Sequence, residues 1–266
     1  SMQEHALQRL QLGKDLRSAL AEGQLALHFQ PILHLASGAV RKAEALLRWN
    51  HPTRGQIPPD EFIPVAEELG LIDAIGTWVF ERAIDFILHW RALCPTSADM
   101  QIAVNASPQQ FLRGQSLEVL MLRLESVGLP GSCISIEITE GLLLDEQPVV
   151  IAQLARLSAA GIQVSIDDFG TGYSAMAYLK RLDIDTLKID RSFVRDLTTD
   201  PGDLAITEAI IAMAHKLDIK VVAEGVETLA QQERLSAAGC DYSQGFLFSR
   251  PLPEAAFFDL IASPAP

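Results

Sequence analysis

From residue 101 onward, short apolar runs alternate with longer stretches whose apolar positions recur every three or four residues. Runs at 101–105, 134–140, 162–168, 186–190 and 220–224, and a last one near 241–246, predict strands. The intervening stretches 109–127, 147–160, 175–182, 203–217 and 228–238, with a short one near 254–261, predict helices. Such β/α alternation implies a parallel sheet covered by helices. Upstream the pattern differs. Leu7, Leu10, Leu16 and Leu20 fall near one face of a helix over 3–22. Two β-like runs follow at 25–35 and 40–49, joined by Ala36-Ser37-Gly38-Ala39 as a hairpin. A loop rich in Pro and Gly spans 50–59, and Asp60 is placed to cap a short helix that ends at Leu69, before Gly70. A longer helix covers 72–92. Six β/α units plus the hairpin make about eight strands, enough to close a TIM-like (β/α)8 barrel. The rival is an open doubly wound sheet, but no Gly-rich fingerprint follows an early strand. No repeat or linker divides the chain. Residues 1–266 are therefore expected to be one domain, with 1–13 as a lead-in and Ser1 as a tag scar.

The strands are set apart by how they end. Their C-terminal ends offer Asn105, Glu137, Asp167 with Asp168, Lys188 with Asp190, Glu224 with Glu227, and Gln244. Glu44 comes from the second run of the hairpin. Taken singly, each is an ordinary cap or surface residue. In a (β/α) barrel those ends converge on one mouth, and carboxylates gathered there repel one another unless a cation lies between them. Hard divalent cations bind such oxygens best. No His or Cys joins the set, which argues against structural zinc and for Mg²⁺ or Mn²⁺. There are more carboxylates than one Mg²⁺ needs, so a two-metal site is favoured, the usual clamp for phosphodiester cleavage. Ca²⁺, with longer bonds and more ligands, is expected to inhibit. Lys188 is suited to holding or deprotonating an attacking water. Carboxylates alone raise its pKa, and bound metals oppose that rise.

Charge and composition narrow the partners. The chain carries 34 acidic and 21 basic residues, a net charge of -13, which excludes nonspecific binding to a DNA or RNA duplex. No apolar run reaches about 18 residues, so a soluble cytoplasmic domain is expected, alone or as the cytoplasmic part of a membrane-anchored protein. Cys94, Cys133 and Cys240 are widely spaced and odd in number, without metal-ligand spacing. They read as core residues in a reducing compartment. The six histidines show no partner at ligand spacing and read as structural or surface residues.

Together with their neighbours, these residues resemble the EAL-domain phosphodiesterases that hydrolyse cyclic di-GMP in bacterial signalling. Glu44-Ala45-Leu46 stands within Glu-Ala-Leu-Leu-Arg-Trp, followed by His51-Pro52. Further matches are Phe29-Gln30-Pro31, Phe62-Ile63-Pro64-Val65-Ala66-Glu67, Val104-Asn105 and Glu137-Ile138-Thr139-Glu140. Then come Asp167-Asp168-Phe169-Gly170-Thr171-Gly172-Tyr173-Ser174, Leu187-Lys188-Ile189-Asp190, Glu224-Gly225-Val226-Glu227-Thr228 and Gln244-Gly245-Phe246. The resemblance covers nearly all of 14–260 and implies a modified barrel with an antiparallel first strand. By similarity, Glu44, Asn105, Glu137 and Asp167 hold one metal, and Asp167, Asp168 and Glu224 hold a second. Lys188 and Glu227 fix the water, and Glu140 steadies the loop after Asp168. Gln30, Arg48, Pro52, Asp190 and Gln244 match nucleotide-contacting positions. The resemblance also implies a homodimer through 171–182 and an upstream sensor or regulatory domain. This chain departs from the pattern at Phe29, where Tyr is usual, and at Ala175 and Met176, where Ser and Leu are commoner. The expected reaction opens cyclic di-GMP to linear pGpG. The alternatives are an inactive cyclic di-GMP receptor, which should have lost metal ligands, and a barrel enzyme for another phosphorylated substrate.

Overall fold

The structure, a computed structural model, describes residues 2–94, 100–144, 147–171 and 179–262. Helix α1 (Met2–Ala19) leads into strands β1 (Leu25–His34) and β2 (Val40–His51). They pair antiparallel with Gln30 opposite Glu44. Strands β4 (Gln101–Asn105), β5 (Ile134–Thr139), β6 (Gln163–Phe169), β7 (Thr186–Ile189), β8 (Lys220–Ala223) and β9 (Tyr242–Ser243) then follow in parallel from β2. Strand β9 pairs antiparallel with β1, which closes an eight-stranded barrel whose first strand runs against the rest. Both expectations, the barrel and its reversed strand, are met. Strands β5 and β7 are apolar or buried at nearly every position, as strands covered on both faces must be.

The helices form the outer layer. In α3 (Ile72–Leu93) the residues Ile72, Ile75, Val79, Phe80, Ala83, Ile84, Ile87 and Trp90 are buried, the stripe that a helix packed on a sheet requires. Phe29 stacks on Phe86 of this helix with ring centroids 3.9 Å apart and meets Phe257 edge-on. The hydroxyl missing at Phe29 therefore concerns the helix layer and not the barrel mouth. Cys133 and Cys240 are buried and Cys94 half-buried, all three free. Burial pushes the Cys133 and Cys240 thiols up to about 11 and about 12, as suits inert core residues. Among the described residues no helix is long and apolar enough to cross a membrane.

Local expectations needed correction in several places. The loop at 50–59 contains a short strand, β3 (Gly55–Ile57), which pairs antiparallel with β2 and seats Ile57 opposite Trp49. Asp60 does not cap α2 (Pro59–Glu68). The helix starts two residues earlier, with Pro58 at the cap and Asp60 inside the first turn, because Pro59 is well suited to open a helix. The single helix expected at 109–127 is two, α4 (Pro108–Arg113) and α5 (Gln115–Ser126). Gly114, at φ 72°, ends the first with a left-handed cap. Helix α1 docks through Leu12, Leu16 and Ala19, while Leu10 is exposed. Short helices α6 (Glu140–Leu144) and α8 (Arg191–Arg195) follow β5 and β7. Helix α7 (Pro148–Ala159) lies between β5 and β6, and α9 (Pro201–Lys216) begins at a cap by Asp200. The chain closes with α10 (Leu229–Ala237), a short strand β10 (Leu252–Pro253) on β1, and α11 (Glu254–Ala262). Most of the helix expected at 175–182, with Met176 and Tyr178, lies outside the described residues. Leu179 is buried in the core.

Candidate active site

Strand alternation sends every second side chain into the barrel. The inward set comprises Glu44, Ala103 and Asn105, Ser135 and Glu137, Ser165 and Asp167, Thr186 and Lys188, with Glu224 just past the end of β8. At mid-height Ser135 and Ser165 share a hydrogen bond of 2.9 Å. One step nearer the mouth the set becomes ionic. The Lys188 ammonium is only 1% exposed and lies 2.6 Å from Glu224, 2.8 Å from Glu137, 3.1 Å from Asp167 and 3.4 Å from Glu44. Asn105 donates to Glu44 Oε1 at 2.6 Å, and Gln244 donates to Glu44 Oε2 at 2.7 Å and to Gln30 Oε1 at 3.1 Å. Gln30 in turn donates to the Ser249 carbonyl at 3.1 Å. No motif pointed to the Ser249 contact. Gln244 reaches inward because Gly245 lies against Val226, where any Cβ would collide with the Val226 backbone.

Asp167 and Asp168 are adjacent, so a regular strand would point them to opposite faces. The β6–β7 register shifts between Ile166 and Phe169, and Asp168 adopts φ 53°. That bulge re-aims the second aspartate. Carboxylate oxygens of Asp167, Asp168 and Glu224 thereby come within 4.8 Å of one another. The buried Glu140 accepts from the Gly170 amide at 3.4 Å, which ties the following loop to the end of β5. Gly170, at φ 100°, faces the Phe193 ring.

The charges show strain. Burial pushes Glu137 well above the usual carboxylate range, and the neighbouring Glu44 charge adds to this. Burial also raises Glu224 to about 7 against the pull of Lys188, with Asp167 and Glu44 contributing. Asp168 rises to about 6 through burial and the charges of Asp167 and Asp190. Glu44 is the exception. Burial opposes its charge, but Lys188 and the donors Gln244 and Asn105 outweigh it and hold Glu44 low. Burial likewise opposes the Lys188 charge, yet Glu137, Glu224, Glu44 and Asp167 raise it well above the ordinary lysine value.

This donor set fits divalent metal ions. Asp167 Oδ1 is buried without a hydrogen-bond donor although the Lys188 ammonium is near, because that approach is off-angle. One ammonium faces Glu44, Glu137, Asp167 and Glu224, with Asp168 adjoining, and three N–H groups cannot satisfy them all.

The remaining expected residues divide. Asp190 lies beside Asp168 and caps α8 by accepting from the Ser192 amide at 3.0 Å. Arg48 lies four residues beyond Glu44 on the same face of β2, half-buried, and donates to its neighbour's carbonyl at 2.9 Å. Pro52 is exposed in the turn between β2 and β3. Glu227 is exposed after β8, where its amide donates to Gln231 at 2.8 Å; the structure does not bring its side chain into the Lys188 cluster. His51 binds the turn at 53–54 and lies 3.4 Å from Asp15, a structural role as expected.

The family described as EAL domain matches residues 14–251. Over 257 residues the chain is 46% identical to the cyclic di-GMP phosphodiesterase NbdA of Pseudomonas aeruginosa, covering 96% of this chain and 32% of NbdA. It is 46% identical over 253 residues to the bifunctional diguanylate cyclase/cyclic di-GMP phosphodiesterase MucR of the same organism, covering 95% of this chain and 37% of MucR. It thus spans about a third of each relative's length. Among solved structures, the PaMucR phosphodiesterase in complex with c-di-GMP matches with a TM-score of 0.87 and 45% identity, over 93% of this chain and 99% of that one. The EAL enzyme Bd1971 in its cAMP- and cyclic-di-GMP-bound form matches with a TM-score of 0.91 and 33% identity, over 96% of this chain and 69% of that one.

Proposed function

The chain belongs to the EAL domain family of cyclic di-GMP phosphodiesterases, and from that premise we propose that it hydrolyses cyclic di-GMP to linear pGpG with two divalent metals, Mg²⁺ or Mn²⁺. The observation that carries the reading is the convergence of Glu44, Glu137, Asp167 and Glu224 around Lys188, with Asp168 at the rim. A receptor that had lost hydrolysis would lack part of that set, and here every position is filled.

Glu44, Asn105, Glu137 and Asp167 would hold one metal, and Asp167, Asp168 and Glu224 would hold the other. Bound there, divalent metals would supply positive charge to the phosphate and a more acidic water for in-line attack. Lys188 positions that water from below, with Glu227 at the edge of the site. Glu140 keeps Asp168 in place through the Gly170 amide. Gln30, Arg48, Pro52, Asp190 and Gln244 bind the nucleotide, and Arg48 supplies local positive charge in an acidic protein. Water adds to one phosphorus as its P–O3′ bond breaks. The 3′ oxygen leaves as a hydroxyl, and the product carries one 5′ phosphate. The domain covers the whole chain and works in the cytoplasm as a homodimer through 171–182, joined to an upstream sensor or regulatory domain. The relatives' greater length supports the latter.

The test is a nucleotide panel incubated with the protein and Mg²⁺ or Mn²⁺ and resolved by ion-pair chromatography. Cyclic di-GMP should be consumed and pGpG should appear. Intact cyclic di-GMP with both metals, or preferential turnover of another nucleotide, refutes the reading.

A further inference from the structure

At the end of the barrel opposite the candidate active site, where the strands begin, lies a cavity of about 650 Å³. The first residues of β4, β6, β7, β8 and β9 ring it. Lys42 enters from β2, two residues before Glu44 and on the same inward face. One β2 strand thus sends a carboxylate to one end of the barrel and an ammonium to the other.

The cavity's acids and bases are not matched. Asp185 accepts the Val164 amide at 2.8 Å, and Asp183 accepts the Ser158 hydroxyl. Asp218 is exposed at the edge. Lys220 is engaged too, 2.8 Å from Asp241. Lys42 and Arg91, by contrast, have no carboxylate at ion-pair distance among the described residues. The Lys42 ammonium sits over the Tyr242 ring, 4.7 Å from its centroid. Arg91 Nε is buried and without a hydrogen-bond partner among the described residues. Arg41 adds a third cation on the same lining. Withdrawing cations from water without an anion is costly. In a chain of net charge -13, a cavity in which Lys42 and Arg91 have no carboxylate partner among the described residues is suited to receive an anion. Its volume falls within the range of small-molecule sites.

We propose that this cavity binds a small phosphorylated molecule, with the phosphoryl group held by Lys42 and Arg91, Arg41 at the opening, and Tyr242 beside the organic part. The chemistry that selects it is charge-assisted hydrogen bonding from a guanidinium and an ammonium to phosphate oxygens. The site is separate from the carboxylate mouth and does not depend on what is hydrolysed there.

Met100 and Ile184 line the cavity and report on it locally. Methyl NMR of the ¹³C-labelled, metal-loaded protein would follow both signals during titration with inorganic phosphate and with GMP, against chloride at matched ionic strength. Both signals should shift saturably with phosphate or GMP and stay still with chloride. Phosphate bound at the distant metals leaves them unmoved. Lys42→Met and Arg91→Gln should each weaken the response at least tenfold. Arg91 lies on the outer helix layer, so Arg91→Gln decides the matter should Lys42→Met fail to fold. Signals that do not move, that move equally with chloride or Mg²⁺ alone, or that respond unchanged in Arg91→Gln overturn the proposal. A response to phosphate but not to GMP shows an adventitious ion only, and also overturns it.

Discussion

Replacing Lys188 with Met keeps a similar volume but removes the charge that four carboxylates face at 2.6–3.4 Å. Breaking a buried ion pair by deleting one partner costs about 3–5 kcal/mol. A domain of this size loses roughly 2 °C in Tm per kcal/mol, so metal-free Lys188→Met should melt roughly 6–10 °C below the parent. The acids can take up protons in place of the lost ammonium, which limits the cost. Glu224 already sits at about 7 and Asp168 at about 6, so the gap should be widest near pH 8 and narrow towards pH 6. Saturating Mn²⁺ supplies the missing charge and should close most of it. The parent's ammonium repels incoming cations, so the variant should bind metal at least as tightly. The assay is thermal unfolding of both proteins at pH 8, in chelator and in Mn²⁺, with calorimetric titration of Mn²⁺. Turnover should still fall by about 10²-fold or more, the scale of a lost general acid–base or water-positioning group. Substrate binding measured in Ca²⁺ should be kept. A metal-free variant that melts with the parent, or a deficit that Mn²⁺ leaves unchanged, refutes the counter-ion role.

The other expectations follow from the same cage. Glu44→Ala deletes a proposed ligand and the acceptor of both Asn105 and Gln244; metal affinity should drop about tenfold or more, with partial recovery of turnover in excess Mn²⁺, and full activity at low Mg²⁺ would remove Glu44 from the ligand set. Exhaustive chelation should abolish hydrolysis and Ca²⁺ should inhibit it, because Ca²⁺ takes longer bonds and more ligands; product formation in chelator would sink the metal reading. Protons should compete with metals: Glu224 at about 7 and Asp168 at about 6 must deprotonate to bind, so apparent affinity should fall by up to about tenfold per pH unit for each of the two below its pKa. The sign for the metal-free fold is the reverse. These acids are raised above their unfolded values, so the native state binds more protons there and stability grows as pH falls from 8 towards 5. Equal Mn²⁺ affinity at pH 6 and pH 8 would contradict both statements.

The barrel and the inventory of its mouth were legible because they depend on period. A strand covered on both sides is a continuous apolar run, so a polar residue at its end stands out, as Asn105, Glu137 and Lys188 do. The hairpin was legible for the same reason, and its antiparallel register puts Gln30 beside Glu44. What escaped was set by single backbone choices. Gly114 could sit inside a helix at modest cost, and only its left-handed φ shows that it ends one. Strand β3 is three residues long in a turn-rich loop, too short for any period to register. The pairing of Asp167 with Asp168 was legible as composition but not as geometry, since it needs the register shift and the positive φ at Asp168. The cationic cavity was invisible because Arg91 lies far along the chain from Arg41 and Lys42 and meets them only where the strands begin.

The cage has two unlike halves, and the difference bears on the order in which it fills. Glu44 is tied on one oxygen by Asn105 and on the other by Gln244, and with Glu137 it is closed off by Lys188. Those side chains are buried and already hold bonds, so little reorganisation remains for a cation that joins them, but Lys188 must yield some of its contacts. Asp167, Asp168 and Glu224 are more open, and their grouping depends on a strained aspartate next to Gly170. Metal-free, Asp168 and Glu224 in this half are pushed towards neutrality, as Glu137 is in the inner half. A cation there relieves repulsion and strain together and displaces protons, while Lys188 gives up its contacts with Glu224 and Asp167. Lys188 guards both halves, so they differ in that the inner half is preorganised, whereas the outer half is more open and depends on the position of the loop after Asp168. Any contact that shifts that loop acts first on the outer half, through the Asp168 backbone and the Glu140–Gly170 bond, and leaves the inner half assembled.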